Sequence, residues 1–261
     1  MPASPPTAPA HDRPYSVAPD ETARLPFRVR LARDDSDLQR IVDLRVTTYG
    51  RHIPSMADSV AQPEPDDRRP ETLLLMAESL SSGQLLGAAR LIHNGVQPLK
   101  LEQTFAVPGL FQNRFVAEAG RLTVLGAPES RMATLSLVKA MYEICFHAGI
   151  ELAAITARRP MDRVYLAMRF DDVLCGRKIP YAPVGHLPHG LYTMPIHEAD
   201  TRWREAVCPL YPFMARTLHP DIDVDYGVVR ARFARPLSGL PERSPGVRAS
   251  VPAPTLSAVS A

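Results

Sequence analysis

Four charged residues stand where the surrounding pattern calls for apolar ones. At 100° per residue, Leu38, Ile41, Val42 and Tyr49 define one narrow face of a first helix, and Arg45 falls at its middle. A guanidinium aimed into a core needs carboxylates or a ligand to meet it; the alternative is a snorkelling head at the helix edge. Glu118-Ala-Gly120-Arg121 lies in an apparent strand, where residues three apart point to opposite faces. Glycine within a strand often marks a bulge, and one extra residue brings Glu118 and Arg121 to the same side. The same bulge turns backbone N–H groups out of the ladder, where they can receive an oxyanion. A surface Glu and Arg on an exposed strand is the competing reading. Arg90 shares the face of Ala88 and Ile92 in a largely apolar strand. Together the four suggest an interior polar cluster.

Other chemistry finds less support. Gly185-His186-Leu187-Pro188-His189-Gly190 sets two histidines close together, but no acidic or cysteine ligand recurs at metal-site spacing, so it reads as a turn and no metal is expected. Gly126 to Ser130 precedes a helix whose free N–H groups can hold a phosphate, yet by itself it is an ordinary helix start. No serine or cysteine sits in a nucleophile elbow, which disfavours covalent catalysis.

The elements that must position these residues alternate in type. Phe27 to Leu31 reads as a strand, and Ser36 to Gln39 as a capping box opening a helix to about Tyr49. A long proline-bearing loop over 50–70 follows, and loops of that length are often functional. Strands at Thr72–Ala77 and Leu85–Ile92 flank Ser81-Ser82-Gly83 as a hairpin. Arg114 to Leu125 is a strand. Pro128 introduces a helix to about His147, with Met132, Leu135, Val138, Tyr142 and Cys145 on its stripe and Gly149 closing it. A strand at Leu152–Thr156, a short helix over 160–169, a strand within 182–194 and a final helix over 196–216 complete the order. That order predicts an α+β mixed sheet with helices packed on it.

The 261 residues, 45% hydrophobic and 22% charged, suffice for a globular domain with a real core. Proline-rich segments bound it: residues 1–25 and, from about 236, the end of a 221–261 extension are expected to be disordered, leaving a domain over 26–220. A net charge of +2 gives no nucleic-acid footprint. No apolar run is long enough for a membrane span, and no secretory signal is evident. Cys145, Cys175 and Cys208, widely spaced and odd in number, fit a reducing cytoplasm.

At the four charged residues the sequence resembles a known family. Leu44-Arg45-Val-Thr-Thr-Tyr49, Gly87-Ala-Ala-Arg90-Leu91 and Glu118-Ala-Gly-Arg121 resemble, in order and interval, three motifs of the bacterial acyl-homoserine-lactone synthases. The segment ending Tyr165-Leu-Ala-Met-Arg169-Phe170 resembles the part of GNAT acyltransferases where a helical tyrosine precedes Gly-Phe, with Arg169 in place of the glycine. The resemblance covers roughly residues 27–175 and implies a GNAT-like mixed sheet flanked by helices on both faces. Two features depart from the homoserine-lactone pattern. No tryptophan lies near Ser55, and of two expected loop acids Asp66 fits the first while the second falls near Arg69, with Asp67 displaced. The departures point to the related long-chain N-acyl amino acid synthases.

The resemblance implies attack by an amino acid's amine on a fatty acyl thioester delivered by acyl carrier protein, or by CoA, as co-substrate with no bound cofactor. Glu118 takes the proton, Arg121 accompanies it, and Tyr165 protonates the departing thiolate. Backbone N–H groups from Gly120 to Leu122 hold the oxyanion, and Arg45, Arg90 or Arg121 grips the acceptor's carboxylate. Tyr49 and Asp66 complete the substrate-binding set. Arg131, Lys139, Arg158, Arg159 and Arg163 are candidates to meet an acidic carrier. Three alternatives stand beside this: an acyl-homoserine-lactone synthase using S-adenosylmethionine, a CoA-dependent GNAT acetyltransferase, and a non-catalytic acyl-binding or carrier-docking module. Against the acetyltransferase, no Gly-rich pyrophosphate loop opens the 129–147 helix.

Overall fold

The computed structural model describes residues 14–53, 56, 58–105, 107, 109–126, 128–236 and 240. Its centre is a mixed eight-stranded sheet of β2 (Phe27–Leu31), β3 (Thr72–Ser79), β4 (Leu85–His93), β5 (Val116–Val124), β6 (Leu152–Ala157), β9 (Leu187–Pro195) and β7 (Asp171–Asp172), in that spatial order, with β8 (Ile179–Tyr181) also paired to β9. Every pairing is antiparallel except β5 with β6.

Helices cover both faces. On one, α1 (Asp35–His52) packs Leu38, Ile41 and Val42 onto Leu74, Met76 and Ala88. On the other, α3 (Ser130–His147) packs Ala133, Leu137, Ala140 and Ile144 onto the alternate residues Leu73, Leu75, Leu91 and Ala117. The expected stripe of α3 is partly wrong: Met132 is 43% exposed, while Ala133 and Leu137 are fully buried. Small residues set that rotation by letting the helix approach the sheet. At Gly87 an added Cβ would lie 3.1 Å from the Leu137 side chain.

Other boundaries move as well. The cap of α1 is Asp34, whose side chain accepts from the Asp37 N–H at 2.9 Å, rather than Ser36. Asp37 instead receives both ends of the Arg30 guanidinium. The final helix expected over 196–216 is broken into a turn at Ile196–Glu198, α5 (Ala199–Glu205) and a wide turn at Pro212–Arg216. Val207 takes φ +49° and Pro209 and Pro212 follow, so no continuous helix can form there.

The domain limits expected at 26 and 220 are too narrow. Leu25 is buried, and its N–H donates to Asp221 at 2.9 Å. Strands β1 (Glu21–Thr22) and β10 (Thr217–Leu218) pair in parallel, and Tyr142 donates to the Pro14 carbonyl at 2.7 Å. The 221–223 segment bonds along the outer edge of β2, through Val29 N–H to Asp221 O and Asp223 N–H to Val29 O, both 2.8 Å. α6 (Tyr226–Arg232) then buries Val229 and Phe233. The expectations for 1–13 and 241–261 concern residues outside those described. Among the described residues, no helix is long and apolar enough to cross a membrane.

Candidate active site

The site begins with a mismatch between β4 and β5. Ala88 pairs with Thr123 and Arg90 with Gly120, so one residue of β4 opposes two of β5. The bulged pair is Arg121 and Leu122, and Arg121 adopts φ +53°. Just before the bulge, β5 and β6 part company: their parallel pairing runs from Val116–Leu152 to Ala119–Ile155, after which β6 continues against β9. Backbone at Arg121 and Leu122 is thereby out of register with β4, and Gly120 to Leu122 have no ladder partner in β6. A cavity of about 450 Å³ opens in this gap.

Of the residues expected from sequence, Tyr49, Arg90, Glu118, Arg121, Leu122 and Tyr165 line the cavity, as do Arg158 and Arg159. Glu118 and Gly120 share one face, since a Cβ on Gly120 would find only the Glu118 carboxylate, at 3.9 Å. The Tyr181 hydroxyl donates to Glu118 at 3.2 Å. Burial pushes the Glu118 carboxyl above its ordinary range, with Asp66 adding to the effect and Arg90, Tyr181 and Arg121 opposing it. Tyr165, on α4 (Met161–Ala167), is buried, and that burial pushes its phenol up to about 12, so it stays protonated at neutral pH.

The three arginines do converge, but on acids of the protein itself. Asp67 receives Arg45 in two bonds, 2.6 and 3.0 Å, and Arg90 at 2.9 Å. Glu64 receives Arg121 in two bonds, 2.6 and 2.5 Å, and Arg90 at 3.0 Å. Glu64 caps a short turn at Pro65–Arg68 that contains Asp67, and the two acids form its capping box. Burial works against each charge, yet Arg121 and Arg45 respectively, reinforced by Arg90, hold the Glu64 and Asp67 carboxyls below their ordinary values.

Three expected roles are corrected by the observed partners. Arg45 is 1% exposed with both terminal nitrogens on Asp67, so it anchors the turn and cannot grip a substrate carboxylate. Asp66 does not itself line the cavity: it bonds Lys100 at 2.6 Å and faces Arg69 and Arg90, a partner behind the wall. Lys139 is 4% exposed and donates to the Phe213 and Thr217 carbonyls, which removes it from any docking surface. Arg131, Arg159 and Arg163 are exposed and Arg158 is half-buried.

Sequence reasoning missed Glu64, although Glu64 and Asp67 stand at capping-box spacing and three inward arginines demand counter-charges. It also read His189 only as a turn residue. His189 lines the cavity and donates from Nδ1 to the Leu187 carbonyl at 2.8 Å. At the cavity edge Thr48 Oγ1 and Arg90 Nε find no partner among the described residues. Among the described residues, no cluster of His, Cys, Asp and Glu could hold a metal ion.

No protein-family model matches this sequence, and no curated protein matches it in sequence. Solved structures do match in fold. FeeM, an N-acyl amino acid synthase from uncultured soil microbes, superposes with a TM-score of 0.57 at 17% identity, over 72% of this chain and 97% of that one. BjaI, a CoA-dependent acyl-homoserine lactone synthase solved with SAM and isopentyl-CoA, gives 0.52 at 17% identity, over 78% of this chain and 98% of that one. The chain therefore has the GNAT-like fold expected from its sequence, the fold of these acyl-transferring synthases.

Proposed function

We propose that the protein is an N-acyltransferase that moves a long-chain fatty acyl group from an acyl carrier protein thioester to the amine of an amino acid. One observation carries this reading: a cavity at the parting of β5 and β6 has in its wall a carboxylate, Glu118, with no ion pair among the described residues, and a protonated phenol, Tyr165, facing the same space. Shape and chemistry both suit a thioester meeting an amine.

In this reading the amine nitrogen attacks the thioester carbonyl, the C–N bond forms, and the C–S bond breaks. Glu118 accepts the proton that leaves nitrogen, and a carboxyl raised by burial is a stronger base for that purpose than a solvated one. Tyr165 supplies a proton to the departing sulfur. N–H groups at the Arg121–Leu122 bulge stabilise the oxyanion, worth about 3 kcal/mol per donor in comparable sites. Exposed Arg131, Arg159 and Arg163 are the surface cations offered to an acidic carrier.

Mass spectrometry of lipid extracts from bacteria expressing the chain tests the proposal. New acyl amides are expected with wild type and not with Glu118→Gln; identical profiles sink it, and an acyl-homoserine lactone as the new product identifies the other synthase class. With purified protein, Glu118→Gln should lower kcat/KM by about 10²- to 10⁴-fold. It should also erase an ascending pH limb whose midpoint lies above the usual carboxylate range, because the base works only once ionised.

A further inference from the structure

The ionic groups of the cavity wall are matched inside the protein with few exceptions. Arg90 and Arg121 are held by Glu64 and Asp67, and Lys100 by Asp66. Nearby Lys178 is held by Asp162 at 3.1 Å. Arg158 and Arg159, just beyond the end of β6, line the cavity with no ion pair to either guanidinium among the described residues. Arg159 is exposed, so water screens it; Arg158 is half-buried, where a charge keeps more of its strength. The buried His189 ring lies in the same wall. Burial is the main cause of its lowered pKa, and the charges of Arg158, Lys178 and Arg121 all push the same way. This corner therefore carries a positive field, and among the described residues no carboxylate pairs with Arg158.

We propose that Arg158 is the anion-binding residue of the cavity and receives an oxyanion carried by a substrate, the acceptor's carboxylate or the donor's phosphate. The assignment rests on the acyl-transfer reading. It gives the guanidinium role expected of Arg45, Arg90 or Arg121 to a residue with free donors. With Glu118, which has no ion pair among the described residues, in the same wall, the cavity offers one site for an amine and one for an anion. Arg158 is a binding residue: its planar fork suits a carboxylate or a phosphate equally.

Full-length wild type, Arg158→Gln and Arg158→Lys decide it with paired substrates. One arm compares an amino acid with its carboxamide as acceptor; the other compares S-acyl phosphopantetheine with S-acyl pantetheine as donor. Arg158→Gln should lower kcat/KM by about 10- to 100-fold for the charged member of one pair and leave the neutral member unchanged. The affected arm identifies the anion, and Arg158→Lys should fall between. Equal losses for charged and neutral members in both arms, or no loss in either, overturn the assignment. Should wild type turn over no substrate, the acyl-transfer reading fails separately. Calorimetry then still reads the anion site with an N-dodecanoyl amino acid against its amide and phosphopantetheine against pantetheine. A preference for the charged member in either pair, abolished by Arg158→Gln, supports the site; no preference, or one that survives the substitution, refutes it.

Discussion

Arg45 and Asp67 have side-chain exposures of 1% and 0%, so neither charge can recover its hydration if the other is removed. Breaking such a pair costs about 3–5 kcal/mol, whereas replacing both partners with apolar groups can be nearly neutral. Asp67→Leu, which takes the acceptor from Arg45, Arg90 and the Glu64 N–H together, should therefore lower the stability to denaturant by at least about that amount, and Arg45→Met, which leaves Asp67 bonded to Arg90, by distinctly less; equal losses would mean that Arg90 does not compensate Asp67. At this scale the charges are legible in the sequence because they interrupt apolar periodicity, and the three arginines do meet on two acids, though Arg45 does not line the cavity. Their roles are not legible there. The acids that bind the arginines belong to an irregular connection, where no period announces which side chains turn inward, so the arginines were assigned to a substrate that Glu64 and Asp67 already stand in for.

The bulge in β5 shows the same division between what a pattern reveals and what tertiary contacts decide. Glycine between two charges marked the irregularity, but the left-handed residue is Arg121, at a cost of roughly 1–2 kcal/mol for a side chain with a Cβ. The two hydrogen bonds that its guanidinium donates to the Glu64 carboxylate hold it there. Gly120 is left with open space where a side chain would go, on the cavity side beside Glu118. Gly120→Val should then fold with stability close to wild type while blocking acyl transfer, since the new methyls occupy the acceptor's place. A large drop in melting temperature would show instead that the strand itself needs glycine. The rotated α3 and the divided 196–216 segment were misread for a related reason. Alanines that permit close approach, and prolines within an otherwise periodic stretch, count for more than the periodicity.

Across the whole molecule, the sheet order was readable because strand and helix patterns alternate clearly between residues 27 and 194. The packed flanks were not, since proline content averaged over 1–25 concealed Tyr15 and Leu25, both tied to the body. The 221–223 segment occupies the outer edge of β2, and an uncovered edge is a template for pairing with another chain. A chain ending at Pro220 loses that strap together with the burial of Val229 and Phe233. It should unfold at lower temperature and associate with rising concentration by light scattering; monomeric behaviour at wild-type stability would assign the segment no structural role. The pairing of β1 with β10 has another outcome. It draws residues near both ends of the described chain to one place, beside a strand edge three positions across the sheet from β5, roughly 15 Å at ordinary strand spacing. Both segments thus enter and leave the sheet on the β2 side, clear of the entrance between β5 and β6.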